Sequence, residues 1–259
     1  MAAEEPDVSS SRPPADSTPA LTVDTEPPPP GALAEGERGP VLPALLVAAG
    51  VTAATAGAVS YAFRPEHAGK PVVLATLGGL NAVLLIASVL WLRGQGRLNV
   101  LKPHGGDLSF GALVAVGFYL ASLGVRAGLL DGPPRGAWLT RIYAHLGDSR
   151  AVYMGIGILV IAAVEEVVWR GGVQTLLVDA LGATRGWLAT AAAFALSQAP
   201  TIWLLADPVA GPNPLVFLLA LGGGAVWGLL ALGTERLGIC VAAHALFIWA
   251  VTQFPLTMF

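Results

Sequence analysis

Seven apolar stretches that approach the length of a membrane span dominate the sequence and limit the folds that it can adopt. They lie at about 41–63, 72–92, 108–130, 151–172, 186–205, 214–233 and 237–256. A helix of about 20 apolar residues crosses the hydrocarbon core of a bilayer. Only helices and closed barrels span membranes, and these stretches lack the short alternating pattern of barrel strands. The sequence therefore predicts an all-α fold, a polytopic transmembrane helical bundle of about seven spans.

The composition agrees with a membrane protein. Hydrophobic residues make up 54% of the 259 positions and charged residues only 12%, and the mean hydropathy is +0.67. Soluble domains carry about 25% charged residues. The formal net charge of -3 comes without a basic cluster, so a lipid bilayer is expected as a partner and nucleic acid is not. The single cysteine, Cys240, excludes a disulfide within the chain.

Three regions are expected along the chain. Residues 1–40 are polar, acidic and rich in proline, so they are predicted to form a disordered tail. Transmembrane helices and loops follow at 41–149, and a set of core helices at 150–259. With seven spans, Lys and Arg number seven on the N-terminal side and five on the other, which favours a cytoplasmic N-terminus. Much Ala, Gly and Pro with only two lysines suggests an integral protein of a bacterial inner (plasma) membrane.

The stretch "IGILVIAAVEEVVWRGGVQTLL", Ile156 to Leu177, carries three ionisable groups in an apolar run. A charged group at the bilayer centre costs about 2.5–3.5 kcal/mol on insertion scales, and such groups usually mark function. Glu166 and Arg170 are four residues apart, so they share a helix face and are expected to form a structural ion pair. Glu165 lies about 100° round the helix, where its i+4 neighbour, Trp169, cannot neutralise it. Glu165 therefore needs a partner from another helix or must take up a proton.

His244 and Gln198 are the polar residues of other stretches that are expected to meet Glu165. Glu165 and His244 each lie about seven residues from the same membrane side, which is about 10 Å deep. Gln198 lies somewhat deeper, and Pro200 after it frees a backbone carbonyl. A carboxylate, a histidine and an amide in one cavity can activate a water molecule. Glu165 would be the general base, and a neighbouring donor would stabilise the oxyanion.

The sequence predicts no metal site and no cofactor. A catalytic zinc usually takes three protein ligands from His, Glu, Asp or Cys. Glu165, Glu166 and His244 are the plausible ligands in the apolar stretches, and Arg170 is expected to claim one of the glutamates.

These residues resemble the motifs of the type II CAAX prenyl endopeptidase and bacteriocin-processing family of intramembrane proteases, the CPBP or Abi proteases. The segment "EEVVWR", Glu165 to Arg170, matches the first motif of two glutamates, three residues and arginine. "FALS" followed by Gln198 aligns with the second motif, a phenylalanine four residues before a histidine. "GTERLGICVAAHALFIW" resembles the last conserved helix and its histidine, His244. Because the resemblance covers about 150–250, the helices at 150–259 are identified as a CPBP-like catalytic core.

The resemblance implies an activity and roles for the residues. The family hydrolyses a peptide bond with glutamate-activated water, so the chain is expected to be an intramembrane endopeptidase. A membrane protein or lipidated peptide would be its substrate, such as a CAAX-like segment, a prepeptide or a C-terminal sorting segment. Glu165 matches the base, Gln198 the group that helps to hold the water, and His244 the group that stabilises the oxyanion. Glu166 is expected beside them in the catalytic site.

Two positions depart from the family pattern. Gln198 stands where the family has histidine, and it can hydrogen-bond a water molecule but cannot take its proton. Ile248 stands where the family has Asn or Asp, and losing an oxyanion donor can cost about 10²–10³ in rate. Two other functions therefore stay open: a catalytically degenerate homologue that acts as a membrane binding partner or chaperone, and a proton-coupled transporter. Intramembrane Glu and Arg also occur in transporters, although no repeated pair of broken helices is seen here.

Overall fold

The fold is an all-α bundle, as the sequence predicts. The computed structural model describes residues 39–147 and 152–258, and no strand occurs among them. The helices are α1 (Val41–Ala62), α2 (Val72–Gly94), α3 (Asp107–Val125), α4 (Gly136–Leu146), α5 (Val152–Glu166), α6 (Thr175–Leu181), α7 (Ala183–Ser197), α8 (Thr201–Leu204), α9 (Leu215–Thr234) and α10 (Leu237–Gln253). A π-helical segment, Val167–Gln174, joins α5 to α6 without a break.

The prediction of about seven spans is not confirmed. Within the described residues, five helices are long and apolar enough to cross a membrane: Val41–Ala62, Val72–Gly94, Asp107–Leu130, Val152–Leu181 and Leu215–Thr234. The other two stretches contain prolines. The stretch at 186–205 is divided between α7 and α8 around Pro200, and α10 ends before Pro255. The residue before a proline is disfavoured in the α conformation, which explains both interruptions.

Only the last two residues of the predicted tail at 1–40 are described; the rest lies outside the described residues. Pro40 precedes α1 at the N-cap position, where the N–H that proline lacks has no helical partner. The Gly39 N–H donates to the Asp179 carbonyl at 3.1 Å, which ties the start of α1 to the end of α6.

The helices that carry the polar groups lie inside the bundle. α10 packs against α3 and α5, α7 packs against α9, and the π segment packs against α2. The approach of α3 to α10 depends on Gly111, because a Cβ there would lie 2.5 Å from the Ala242 Cβ and 2.9 Å from the Ile239 carbonyl oxygen. Small residues permit such close helix contacts in membranes.

α4 is a short amphipathic helix in the connection between α3 and α5. Its buried His145 places Nε2 3.0 Å from the Ala62 carbonyl at the end of α1. The Tyr143 hydroxyl donates to the Val251 carbonyl of α10 at 2.9 Å and accepts the Leu256 N–H at 3.1 Å. These bonds hold α4 against the ends of α1 and α10.

Candidate active site

The first motif lies where the helix changes from α to π. Glu165 and Glu166 end α5, and Arg170 lies in the π segment that follows. The wider turn is visible in the hydrogen bond from the Thr175 hydroxyl to the Arg170 carbonyl five residues earlier, at 3.2 Å. π-helical turns within α-helices are frequent at functional sites.

Glu166 and Arg170 form an ion pair inside the protein. Arg170 Nη1 lies 3.0 Å from Glu166 Oε1, and both side chains are fully buried. Arg170 Nη2 donates to the Gly224 carbonyl of α9 at 3.3 Å. The guanidinium lies 4.9 Å from the centre of the Phe194 ring, a cation–π contact. These contacts satisfy only part of the buried pair, because Glu166 Oε2 and Arg170 Nε have no hydrogen-bond partner among the described residues.

His244 of α10 contacts the same glutamate oxygen. Its Nδ1 lies 2.7 Å from Glu166 Oε1. Because that oxygen also accepts from Arg170, it belongs to a carboxylate, and Nδ1–H is the donor. The imidazole packs nearly parallel to the Trp227 ring at 6.0 Å. The contact with Glu166 therefore engages Nδ1 and not Nε2.

Glu165 points to a different place from Glu166. It is half-buried and lines a cavity of about 250 Å³, whereas Glu166 does not line that cavity. The Asn81 side chain of α2 is its polar neighbour across the helix interface. Asn81 is buried and also donates to the Leu77 carbonyl at 3.1 Å.

The cavity brings together residues from three of the predicted stretches. Glu165, Gln198 and His244 all line it, and so does Ile248. Gln198 follows the last residue of α7, and its amide lies 3.4 Å from the Ser197 hydroxyl. The two positions that depart from the family pattern therefore lie beside the carboxylate and the imidazole.

Two polar residues of this region were missed in the sequence. Asn81 is an amide in the middle of an apolar stretch, a signal that could have singled it out. Gln174 is buried one turn beyond Arg170, and its Nε2 donates to the Gly228 carbonyl at 2.9 Å. Gly228 permits this contact, because a Cβ there would lie 2.8 Å from Gln174 Oε1. Arg170 and Gln174 thus bind α9 backbone carbonyls one turn apart.

Within residues 39–147 and 152–258, no group of three or more His, Cys, Asp and Glu side chains is arranged to hold a metal ion.

A comparison with protein families identifies the region that contains these motifs. Residues 148–250 match the family model described as type II CAAX prenyl endopeptidase Rce1-like. No curated protein and no solved structure matches the chain. The match includes Glu165, Gln198, His244 and Ile248, and it supports an intramembrane endopeptidase at the level of the family. Residues 148–250 are therefore similar to the Rce1-like type II CAAX prenyl endopeptidase family, which confirms the resemblance of this region to the CPBP proteases.

Proposed function

We propose that the protein is an intramembrane endopeptidase that hydrolyses a peptide bond of a membrane-associated substrate with water activated by Glu165. A CAAX-like segment, a prepeptide or a C-terminal sorting segment would provide that bond. One observation carries the proposal: Glu165, Gln198 and His244 line a single cavity, while Glu166 and Arg170 pair with each other outside it.

The reaction requires one proton acceptor and one hydrogen-bond donor. The Glu165 carboxylate takes a proton from the water, and the water oxygen forms a bond to the carbonyl carbon of the substrate. The carbonyl oxygen becomes an oxyanion, which accepts a hydrogen bond from Nε2–H of His244. The C–N bond then breaks, and the leaving nitrogen takes the proton from Glu165. The carboxylate is thereby regenerated.

The proposed reaction needs the form of His244 that carries a proton on both ring nitrogens. That imidazolium donates Nδ1–H to Glu166 and Nε2–H to the oxyanion. Glu166 in turn is paired with Arg170. Glu166 and Arg170 thus act as positioning residues for His244.

Because Gln198 and Ile248 depart from the family pattern, fewer side chains are available to carry out the proposed reaction. Gln198 can hold the water by its amide, so all of the proton transfer falls to Glu165. Ile248 offers no hydrogen bond, so the oxyanion depends on His244. An oxyanion donor is worth about 10²–10³ in rate, and a slow peptidase is therefore expected.

A comparison of membrane proteomes tests the proposal. Strains with the wild-type gene and with Glu165→Gln would be scored for new N-terminal and C-terminal fragments of membrane proteins. Glu66→Gln is the matched control, because it makes the same chemical change at an exposed loop residue. A set of cleavages that disappears only with Glu165→Gln supports the peptidase. A Glu165→Gln strain that processes every substrate of the wild type refutes it.

A second candidate function is a membrane binding partner or chaperone on the same scaffold. Gln198 and Ile248 at the cavity wall favour it, since both lack the groups of the family pattern. In this case deletion of the gene has a phenotype, whereas Glu165→Gln has none. A protein that co-purifies equally with the wild type and the variant would support it.

The proposal includes a cellular location. The proposed location is a bacterial inner membrane with the N-terminus in the cytoplasm, and the orientation rests on the excess of Lys and Arg that the seven-span count places on the N-terminal side. Fusion of a reporter that is active only in the cytoplasm tests this orientation. Activity after residue 40 and inactivity after residue 68 are expected.

A further inference from the structure

α2 and the helix that carries the first motif lie side by side and run in the same direction. Three contacts join them in the order of both segments. They pair Leu74 with Gly157, Gly78 with Ile161, and Ser88 with Gly172. A Cβ at Gly157 would lie 2.8 Å from Leu74 Cδ1. A Cβ at Gly172 would lie 2.8 Å from Ser88 Oγ, so glycine permits the close approach at both ends. The part of α2 between these contacts therefore has a fixed register against α5.

This register brings Asn81 of α2 opposite Glu165. Asn81 lies about one turn after Gly78, and Glu165 lies about one turn after Ile161. The two polar side chains are within hydrogen-bonding reach of each other. Because α2 precedes residue 148, Asn81 lies outside the family-matched region.

The Asn81 amide is buried in the middle of an apolar helix, where a polar group needs hydrogen-bond partners. Its Nδ2 donates to the Leu77 carbonyl at 3.1 Å. An amide nitrogen carries two hydrogens, so this bond uses only one of them. The second N–H is therefore the group that can serve Glu165.

Glu165 meets the amide and the cavity on different sides. Glu165 lines the cavity with Gln198 and His244, whereas Asn81 does not line it. The amide thus reaches the carboxylate from α2 and not through the cavity. A general base must lie about 2.6–3.2 Å from the group whose proton it takes. Hydrogen bonds from supporting residues hold catalytic groups to that precision.

We propose that Asn81 is a positioning residue, whose side-chain amide donates a hydrogen bond to one oxygen of the Glu165 carboxylate and thereby directs the other oxygen into the cavity. Its role in catalysis rests on the proposed function, whereas the hydrogen bond itself can be measured without cleavage. The orientation of the base is then set by a helix outside the family-matched region.

Infrared spectra of purified full-length protein in detergent test the hydrogen bond. Subtracting the spectrum of Glu165→Gln from that of the wild type isolates the bands of the Glu165 carboxyl group. The same subtraction in an Asn81→Leu background should give bands at a different frequency, because the carboxyl group has lost a donor. Asn81→Gln keeps an amide and should move the bands back towards the wild-type position. Asn99→Leu is the matched control, since it makes the same chemical change at an exposed residue and should shift nothing.

The strains of the proteome comparison provide the second measurement. Asn81→Leu should lower the yield of Glu165-dependent fragments about 10- to 100-fold, because a displaced catalytic group can cost about 10² in rate. The unfolding temperature should change little, since leucine is close to asparagine in size and suits an apolar interface. If Asn81→Leu does not fold, Asn81→Ala takes its place, because it removes the donor without adding volume.

Two results would overturn the inference. One is a set of Glu165 bands that neither Asn81→Leu nor Asn81→Ala shifts. The other is a yield of fragments that Asn81→Leu leaves unchanged. The infrared measurement also separates this inference from the proposed function. Bands that shift in Asn81→Leu, in a protein whose wild type cleaves nothing, would support the hydrogen bond and refute the peptidase.

Discussion

Glu165 and Glu166 are adjacent in the chain, but the two sides of the helix on which they lie differ in almost every respect. On the α9 side, the Glu166 carboxylate binds both Arg170 and His244, and Gln174 binds a backbone carbonyl. On the cavity side, Glu165 has the amide of Asn81 beside it and otherwise meets a cavity with a largely apolar wall. The comparison teaches that the partners of a carboxylate in this bundle, and not its residue type, decide whether it is held in an ion pair or faces the cavity.

Replacing Arg170 by methionine should have the largest effect and would test the α9 side directly. The variant leaves Glu166 without its guanidinium, and removing one partner of a buried pair costs about 3–5 kcal/mol. The measurement is thermal unfolding in detergent, read by reaction of a thiol dye with the buried Cys240. The double variant Glu166→Gln/Arg170→Met removes both charges and should recover much of the lost stability. Equal unfolding temperatures for the single and double variants would contradict a structural role for the pair.

His244 contacts Glu166 and also lines the cavity, so its replacement should lower activity more than stability. His244→Ala leaves the Glu166–Arg170 pair intact but removes the proposed oxyanion donor. Cleavage is expected to fall about 10²–10³-fold, while the unfolding temperature falls by less than in Arg170→Met. The cleaved substrates of the proteome comparison provide the rate measurement. An unchanged rate would exclude His244 from the reaction.

A substitution at Gln198 should increase the rate of the proposed reaction in the cavity. Gln198→His supplies a second group that can accept a proton, and the rate of Glu165-dependent cleavage should rise about 10-fold or more. Gln198→Leu, which cannot hold a water molecule, should lower it. Rates that do not depend on residue 198 would show that the cavity water is held elsewhere.

His145 extends the comparison to a second buried histidine and should give the smallest effect. Its partner is the Ala62 carbonyl, and burial lowers the pKa of its imidazole below the ordinary value of 6.5. The folded state therefore binds fewer protons than the unfolded state at mildly acidic pH. Stability should be fully present above pH 6.5 and should decline as the pH falls below that value. His145→Gln should flatten this decline when unfolding temperatures are measured from pH 7 to pH 5.

The sequence indicated which residues share a helix face but not how the helices are rotated about their axes. The spacing of Glu166 and Arg170 predicts a pair on one face, and the structure has that pair at 3.0 Å. The contact between His244 and Glu166 could not be predicted from the sequence. Both faces of a transmembrane helix are apolar, so no periodicity marks the face that points into the bundle. Gln174 was missed for the same reason, whereas Asn81 could have been singled out as an amide in the middle of an apolar stretch. The span count of about seven is not confirmed, and one reason is that a hydropathy window runs through Pro200, around which α7 and α8 are separate helices.

The number of residues in the π segment Val167–Gln174 determines both how long this helix is and how the part that follows is rotated about the helix axis. In α-helical geometry each residue turns the chain by about 100° and advances it by only about 1.5 Å, so losing one residue from a helix changes its rotation more than its length. Gln174 would then leave the Gly228 carbonyl, and α6 would present another face to α7. Val167, which is half-buried, could thus be exchanged for another apolar residue at less cost than its deletion, whereas Val168 is also constrained by its place in the buried core. A search for related chains should therefore weigh a missing residue in this segment more heavily than any apolar substitution.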